Sequence, residues 1–382
     1  MTNTLNRYLA GALIAFGSSV IAAPTRYTLT DLGVLDGAGS GYGFAVNDFG
    51  QVAGTSVGAI RQATNFKGGV LSAIPTGGFS DAYGINNQGL IVGEMGHPAV
   101  SSRPFSWDGT YLVELATPLG TAVGGAWAVN GSGVAVGYTG PAVSTSRVAT
   151  VFNAGGYSIL PRLAGEQLGS ESFAYGINNA GDIVGYDSGR AFMFSAGTMT
   201  ELMVQGASST IAIDIAGDGT VVGAATGVPG VFTPENDHAV VWRGGLATVL
   251  DIGRWSELLS VNSQDYAVGQ FYTERTVSNA WNGSLYHALA WTPDDGALDL
   301  NDLTDNLGAW TLHGAHGISE TGLIAGDMFA ADGRSHAFLL TPINTQLVPE
   351  PEALSIAFVG LGAAYCSRKR RGRTGRTLVT PP

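Results

Sequence analysis

The feature that most restricts what this chain can fold into is a motif that returns seven times. It reads GFAVNDFGQVAG (43–54), AYGINNQGLIVG (82–93), AWAVNGSGVAVG (126–137), AYGINNAGDIVG (174–185), AIDIAGDGTVVG (212–223), LLSVNSQDYAVG (258–269) and AHGISETGLIAG (315–326). The closing glycines are Gly54, Gly93, Gly137, Gly185, Gly223, Gly269 and Gly326, spaced by 39, 44, 48, 38, 46 and 57 residues. In each copy a short apolar run ends in Asn, two polar or small residues follow, and a Gly precedes the next apolar run. Asn opens a turn by bonding its own backbone, and Gly accepts positive φ just before the second strand. Each copy is therefore a tight hairpin. Copies five and seven replace the Asn with Ala216 and Ser319, and copy six places Asp265 where the Gly belongs. Asp tolerates that backbone region better than most residues.

A second strand pair follows each hairpin, as in RPFSWDGTYLVEL (103–115), RAFMFSAGTMTEL (190–202), HAVVWRGGLATVL (238–250) and HALAWTPDDGALDL (287–300). Each has an apolar-aromatic strand, a turn with Gly and an alternating strand. Four strands per unit of about 45 residues is the pattern of a propeller blade. The expected fold is all-β, a seven-bladed β-propeller of four-stranded antiparallel blades. The last unit ends after its third strand, HAFLLTP (336–342), while YTLTDLG (27–33) is a fourth-strand sequence with no blade before it. Pairing the two closes the ring and removes two raw sheet edges.

Composition agrees with a packed core. Hydrophobic residues make up 45% of the chain and charged residues 13%, and the 57 glycines lack the collagen period. The only cysteine is Cys366, which excludes thiol catalysis and cysteine-ligated zinc from the repeats. Residues 24–347 hold 11 basic and 28 acidic side chains, a net charge near −17. Such a surface repels phosphate backbones, so nucleic acid is excluded as a partner, whereas cations or a neutral glycan remain compatible.

Both ends read as addresses. Residues 1–23 carry Arg7, an apolar stretch over 9–21 and then Ala22-Ala23 before Pro24, the layout of a secretory signal peptide cut after Ala22. The other end reads VPEP (348–351), a hydrophobic segment over 353–367 and a basic tail over 368–382. As a helix, residues 353–366 would reach about 21 Å, short of a hydrocarbon core of about 30 Å. This end resembles the PEP-CTERM sorting signal of Gram-negative bacteria. The resemblance implies Sec export, transient membrane insertion through 353–367 with the arginines on the cytoplasmic side, and recognition of Pro349, Glu350 and Pro351 by an exosortase. It also implies delivery to the cell surface or the extracellular polysaccharide matrix. Glu352 beside the apolar run and the continuation over 372–382 depart from the family's pattern. The domain plan is thus leader 1–23, propeller 24–343, linker with the sorting motif 344–352, hydrophobic segment 353–367 and tail 368–382.

The repeats resemble the HAF-repeat family of predicted extracellular proteins. His336-Ala337-Phe338 carries the likeness, echoed by His238-Ala239-Val240 and His287-Ala288-Leu289, with DLNDL (299–303) and Trp310 matching the family's C-terminal end. The resemblance covers about residues 27–342. It implies export and a repeat fold, and no catalytic residue, since the family has no established activity.

Candidate sites follow from the loops. First and third connections are short and uniform, whereas the second and fourth vary, so one face carries the variable loops. The longest lie over 272–286 and 303–311. Tyr272, Trp281, Asn282, Tyr286, Asp305, Asn306 and Trp310 there suit stacking on sugar rings plus hydrogen bonds to hydroxyls. The competing reading is that these aromatics fold inward and plug the loops. Asp294, Asp295, Asp299, Asp302 and Asp305 lack calcium-loop spacing and read as a solvated acidic rim. His313 and His316 would face together on a helix, but their segment reads as loop and strand, which argues against a zinc pair. His238, His287 and His336 recur at one repeat position and read as strand packing. Asn130-Gly131-Ser132 and Asn282-Gly283-Ser284 match the N-glycan acceptor pattern, which seldom applies in bacteria. No serine elbow or phosphate loop is present.

The expectation is a non-catalytic exported protein with no cofactor and no metal, binding or structural, in contact with extracellular polysaccharide. Two alternatives stand beside it: a secreted glycan lyase or hydrolase with carboxylates at the channel, and a protein-interaction scaffold. Two or three channel carboxylates with raised pKa would favour the enzyme. An aromatic strip on the variable-loop face with an empty channel would favour binding.

Overall fold

The computed structural model describes residues 26–343 apart from 98–99, 142–145, 167–169, 232–236, 253–254 and 274–285. Contacts divide the chain into a compact unit running to Pro342 and a second from Ile343 to Pro382, and of the second only Ile343 is described. The leader, including Ala22, and the sorting motif Pro349, Glu350 and Pro351 lie outside the described residues. Among the described residues no helix is long and apolar enough to cross a membrane.

The described chain is all-β, in six sheets that stand as propeller-like blades. Five are four-stranded antiparallel meanders, such as Ser80–Ile85, Ile91–His97, Val100–Trp107 and Leu112–Glu114. The sixth has nine strands, where the sequence led us to expect separate blades from the first and last repeats. A single strand pairing, Ser40 with Ser335, joins the two repeats into one sheet.

Arg26–Gly33 is hydrogen-bonded to the last repeat's third strand, Ser335–Ile343. On its other side it runs parallel to the short strand Thr304–Asp305, pairing Tyr27 with Thr304. Between the last two repeats a one-turn helix, Leu300–Leu303, buries both leucines beneath Tyr27. Asp299 caps it, and the Asn301 side chain both accepts from the Leu312 N–H at 2.8 Å and donates to the Leu312 carbonyl at 3.0 Å.

The repeat residues explain themselves one by one. The turn glycines take positive φ, from +72° at Gly50 to +88° at Gly181 and Gly219, and Asp265 takes the same region at +61°. Every inner strand shifts register by one residue opposite its closing glycine, for example between Ala174 and Gly176 opposite Gly185. A β-bulge crowds the facing strand. A Cβ on Gly185 would lie 2.0 Å from the Phe173 carbonyl oxygen, and the other six closing glycines meet an equivalent oxygen at 1.9–2.0 Å. The Phe of the third strand then covers the glycine. Phe105, Phe192 and Phe338 pair with Gly93, Gly185 and Gly326 and are fully buried.

The core lies between successive sheets. One cluster joins Ala53, Ala63 and Ile74 of the first repeat to Ile91, Phe105 and Trp107 of the second. Buried hydroxyls tie the same seams. Ser80, Ser172, Thr210 and Ser256 accept from the backbone N–H of Ala63, Ala149, Ala191 and Ala239 in the preceding repeat, at 2.8–3.1 Å.

Within a repeat, an Arg or His of the third strand meets an acid ending the fourth. The pairs are Arg103 with Glu114, Arg190 with Glu201, and His287 with Asp299. His336 with Asp31, at 2.8 Å, is the same pair carried across the two ends of the fold. Of the three histidines expected to serve strand packing, His238 is buried, and His287 and His336 contact carboxylates.

Candidate functional site

A bulge turns its extra residue out of the sheet plane. On the seven inner strands those residues are Phe44, Tyr83, Trp127, Tyr175, Ile213, Leu259 and His316, each half-buried. All seven line one cavity of about 480 Å³, a volume in the range of small-molecule sites. One side of it is aromatic. Trp127 and Tyr175 lie parallel with centroids 4.7 Å apart, and Phe44 contacts Tyr83 at 5.4 Å and His316 at 5.7 Å. Ile213 and Leu259 make the opposite side aliphatic.

Asp214 also lines this cavity. Its carboxylate accepts from the Ser260 hydroxyl at 2.8 Å and from the backbone N–H groups of Val261 and Ile215. Burial nevertheless lifts its pKa above the ordinary carboxylate value. Glu94 accepts from the Tyr138 hydroxyl at 3.0 Å, beneath Gly125, where a side chain would have no room. Glu257 accepts from the Gln270 amide at 2.7 Å. Burial raises both.

His313 and His316 converge on one carboxylate. His313 Nδ1 lies 3.1 Å from Asp327 and His316 Nε2 lies 2.6 Å from it. Burial would push Asp327 up, yet the two imidazoles hold it below the usual range. Register shifts at Gly314 and Gly317 bring the two histidines together without a helix. Among the described residues no group of three or more His, Cys, Asp or Glu side chains is arranged to hold a metal ion.

At the turn end of the same strands the repeated asparagines form a belt. Each Asn side-chain oxygen accepts two backbone N–H groups of its own turn, as Asn130 does from Ser132 and Val134 at 3.1 Å. Its amide then donates to the next repeat's carbonyl. The chain runs Asn47 to Asn86, Asn86 to Asn130, Asn130 to Asn178, Asn178 to Ala216, and Asn262 to Ser319, at 2.9–3.2 Å. The two repeats that lost the Asn interrupt it. Gly217 donating to Ser263, and Thr321 donating to Asp48, bridge the gaps. A second cavity of about 390 Å³ opens here, rimmed by Asp48, Asn87, Asn179, Ser263 and Glu320.

The loop residues expected to form a sugar-binding patch fall into separate settings. Tyr272 and Tyr286 come together, centroids 4.2 Å apart with their hydroxyls in contact. Trp255 meets both at 5.3 and 5.5 Å, and His313 packs on Tyr286 at 4.9 Å. Trp281 and Asn282 lie outside the described residues. Asp305 is ion-paired with Arg26, and Asn306 makes a left-handed turn at φ +63°. Trp310 is held between the His336 ring, at 4.7 Å, and the Arg334 guanidinium, at 5.2 Å. Asp305 thus bears on the first strand, and Trp310 on the last repeat's third strand. Of the acidic residues, Asp299 serves the helix cap and His287, while Asp295 accepts from the Thr292 hydroxyl at 3.0 Å.

The seven bulge residues of this cavity were missed in the sequence, although a signal existed. Each stands three positions before the turn Asn or its replacement, and four of the seven are Phe, Tyr or Trp. Strict alternation hides the position, because the bulge breaks the period of two just there.

No known family's sequence profile matches the chain, and no curated protein matches it. Among solved structures it is similar to the extracellular domain of a putative one-component system from B. thetaiotaomicron, at 8% identity and TM-score 0.45, covering 81% of this chain and 39% of that one. It is also similar to a puromycin-hydrolyzing peptidase of Mycobacterium tuberculosis, at 11% identity and TM-score 0.48, covering 84% and 55%. The chain spans about half or less of the length of both.

Proposed function

We propose that this chain is an exported, non-catalytic binding protein, a closed seven-bladed propeller that holds a hydroxyl-rich ligand in its channel. The ligand class is a stretch of extracellular polysaccharide. The observation that carries the reading is the convergence of one bulged side chain from every repeat on a single cavity, with Trp127 and Tyr175 stacked in its wall. Flat aromatic faces beside polar acceptors are what a sugar ring and its hydroxyls require. Support for a seventh blade comes from Arg26–Gly33 beside Ser335–Ile343, and from Asp31 in the place that Glu114, Glu201 and Asp299 take in other repeats. Export and exosortase sorting rest on residues 1–23 and on Pro349, Glu350 and Pro351.

The test is calorimetric titration of the full chain with a panel of soluble oligosaccharides. Trp127→Ala is expected to weaken binding about tenfold, corresponding to about 1.4 kcal/mol. Tyr286→Ala is expected to leave it unchanged. Binding that survives Trp127→Ala but fails in Tyr286→Ala moves the site to the loop cluster. Binding indifferent to both defeats the channel reading.

A second reading is favoured by one observation: Glu94, Asp214 and Glu257 are carboxylates whose pKa burial raises, the condition that acid–base catalysis on a glycan requires. New reducing ends or unsaturated termini, released by the wild type and lost in Glu94→Gln or Glu257→Gln, would replace the non-catalytic reading.

A further inference from the structure

Of three carboxylates that burial raises, Asp214 lines the cavity, and Glu94 and Glu257 lie outside its lining. Elsewhere several buried or half-buried acids have a basic partner: Asp81 has Arg61 at 2.7 Å, Asp187 has Arg162, Asp299 has His287 at 2.5 Å, and Asp327 has two histidines, whereas the half-buried Asp182 and Asp237 are held by neutral donors. Asp214, Glu94 and Glu257 are held by neutral donors, namely Ser260 and two backbone amides, the Tyr138 hydroxyl, and the Gln270 amide. Among the described residues none of the three has an ion pair. A carboxylate removed from water without an ion pair is unfavourable, and burial raises all three, against the opposing pull of Arg147 and Arg61 on Glu94 and of His316 on Glu257.

The aromatic wall points the same way by independent physics. Phe44, Tyr83, Trp127 and Tyr175 line the cavity together with Asp214 and Ser260. The negative faces of such rings attract organic cations at short range. Metal ions need several oxygen or nitrogen ligands on one point, and among the described residues no group of three or more His, Cys, Asp or Glu is arranged to hold one. Beyond contact range, 28 acidic against 11 basic side chains over residues 24–347 draw cations toward the cleft.

We propose that the channel ligand carries a cationic amine, as a polysaccharide built of amino sugars with free amino groups does. This deepens the channel-binding reading and rests on it. The amine sits between the aromatic wall and the Asp214 carboxylate, and the hydroxyls of the same sugar ring meet the remaining polar groups.

The experiment is calorimetric titration of the full chain with three oligosaccharides of equal length: glucosamine oligomers with free amines, their N-acetylated counterparts, and neutral glucose oligomers. The free-amine oligomer is expected to bind at least about tenfold tighter than the other two, about 1.4 kcal/mol. Its advantage is expected to shrink as salt rises. Asp214→Asn is expected to bring the preference down to about twofold or less while leaving residual glycan binding. Glu257→Gln provides a second variant, and thermal denaturation monitors the fold of both. Equal affinity for the amine and acetylated oligomers overturns the amine assignment while the channel reading stands. An amine preference that persists in both variants overturns the role of the carboxylates. No binding of any of the three overturns both readings.

Discussion

The asparagine belt permits a quantitative prediction. Asn130 is 5% exposed. Its side-chain oxygen accepts from the Ser132 N–H at 3.1 Å, the Ser132 hydroxyl at 2.8 Å and the Val134 N–H at 3.1 Å, and its amide donates to the Asn178 carbonyl at 3.2 Å. Asn130→Ala deletes all four bonds. Each is worth about 0.5–1.5 kcal/mol net, and the adjacent cavity lets water recover part of the loss at the turn. The expected cost is about 2–4 kcal/mol. At about 2–4 °C per kcal/mol, the melting temperature should fall by about 4–16 °C, measured by circular dichroism, with a matching drop in the urea midpoint. Asn130→Asp separates the two roles. It keeps the acceptors but loses the donor and sets a buried charge against the Asn178 carbonyl. It should be at least as damaging at pH 7 and recover as the acid protonates and regains a donor. If Asn130→Ala unfolds within about 0.5 kcal/mol of the wild type, the belt does not join the repeats and the reasoning fails.

Other perturbations probe the same physics. Ala216→Asn supplies the missing donor toward the Asn262 carbonyl, and should raise stability by about 1 kcal/mol, read from the urea midpoint. Asp327→Asn removes a carboxylate held below its usual pKa by His313 and His316. The stability it contributes is present above the unfolded pKa and is lost as pH falls through the lower folded value, so the gap between variant and wild type should narrow below about pH 4. Glu257 has the opposite sign: its folded pKa is raised, so its contribution is present below the unfolded value and is lost as pH rises through the folded one. Glu257→Gln should therefore melt higher than the wild type at neutral pH, with the difference vanishing in acid. Deleting residues 26–33 strips the cover from Ser335–Ile343 and from Leu300 and Leu303. The shortened chain should self-associate in light scattering through the bared edge; a monomer with an unchanged melting curve would show that this strand closes nothing.

Much of the architecture was open to reading because it is written locally and repeated. Asn47, Asn86, Asn130, Asn178 and Asn262 announce their turns through bonds to backbone groups two and four residues on. Asp265 in the left-handed region and the pairing of the first strand with the last repeat both follow from single-residue preferences and from the count of strands. The seams between repeats were less legible. The Arg or His of a third strand and the acid ending a fourth stand about a dozen residues apart, and in the last case 305 apart, at opposite ends of the fold.

The candidate site divides along the same line. The sequence by itself determined that the chain folds as repeated β-meanders, that each repeat turns on an Asn and a Gly, and that a displaced strand at the start completes a sheet at the end. These depend on the backbone preferences of individual residues. Only the tertiary structure decided that Phe44, Tyr83, Trp127 and Tyr175 share a cavity with Asp214, and that Asp305 bears on the first strand and Trp310 on the last repeat's third strand instead. The physical reason is that a bulge rotates a side chain by breaking the alternation from which its direction would be read. The neighbours it then meets come from repeats tens of residues away, joined by packing that no local pattern records.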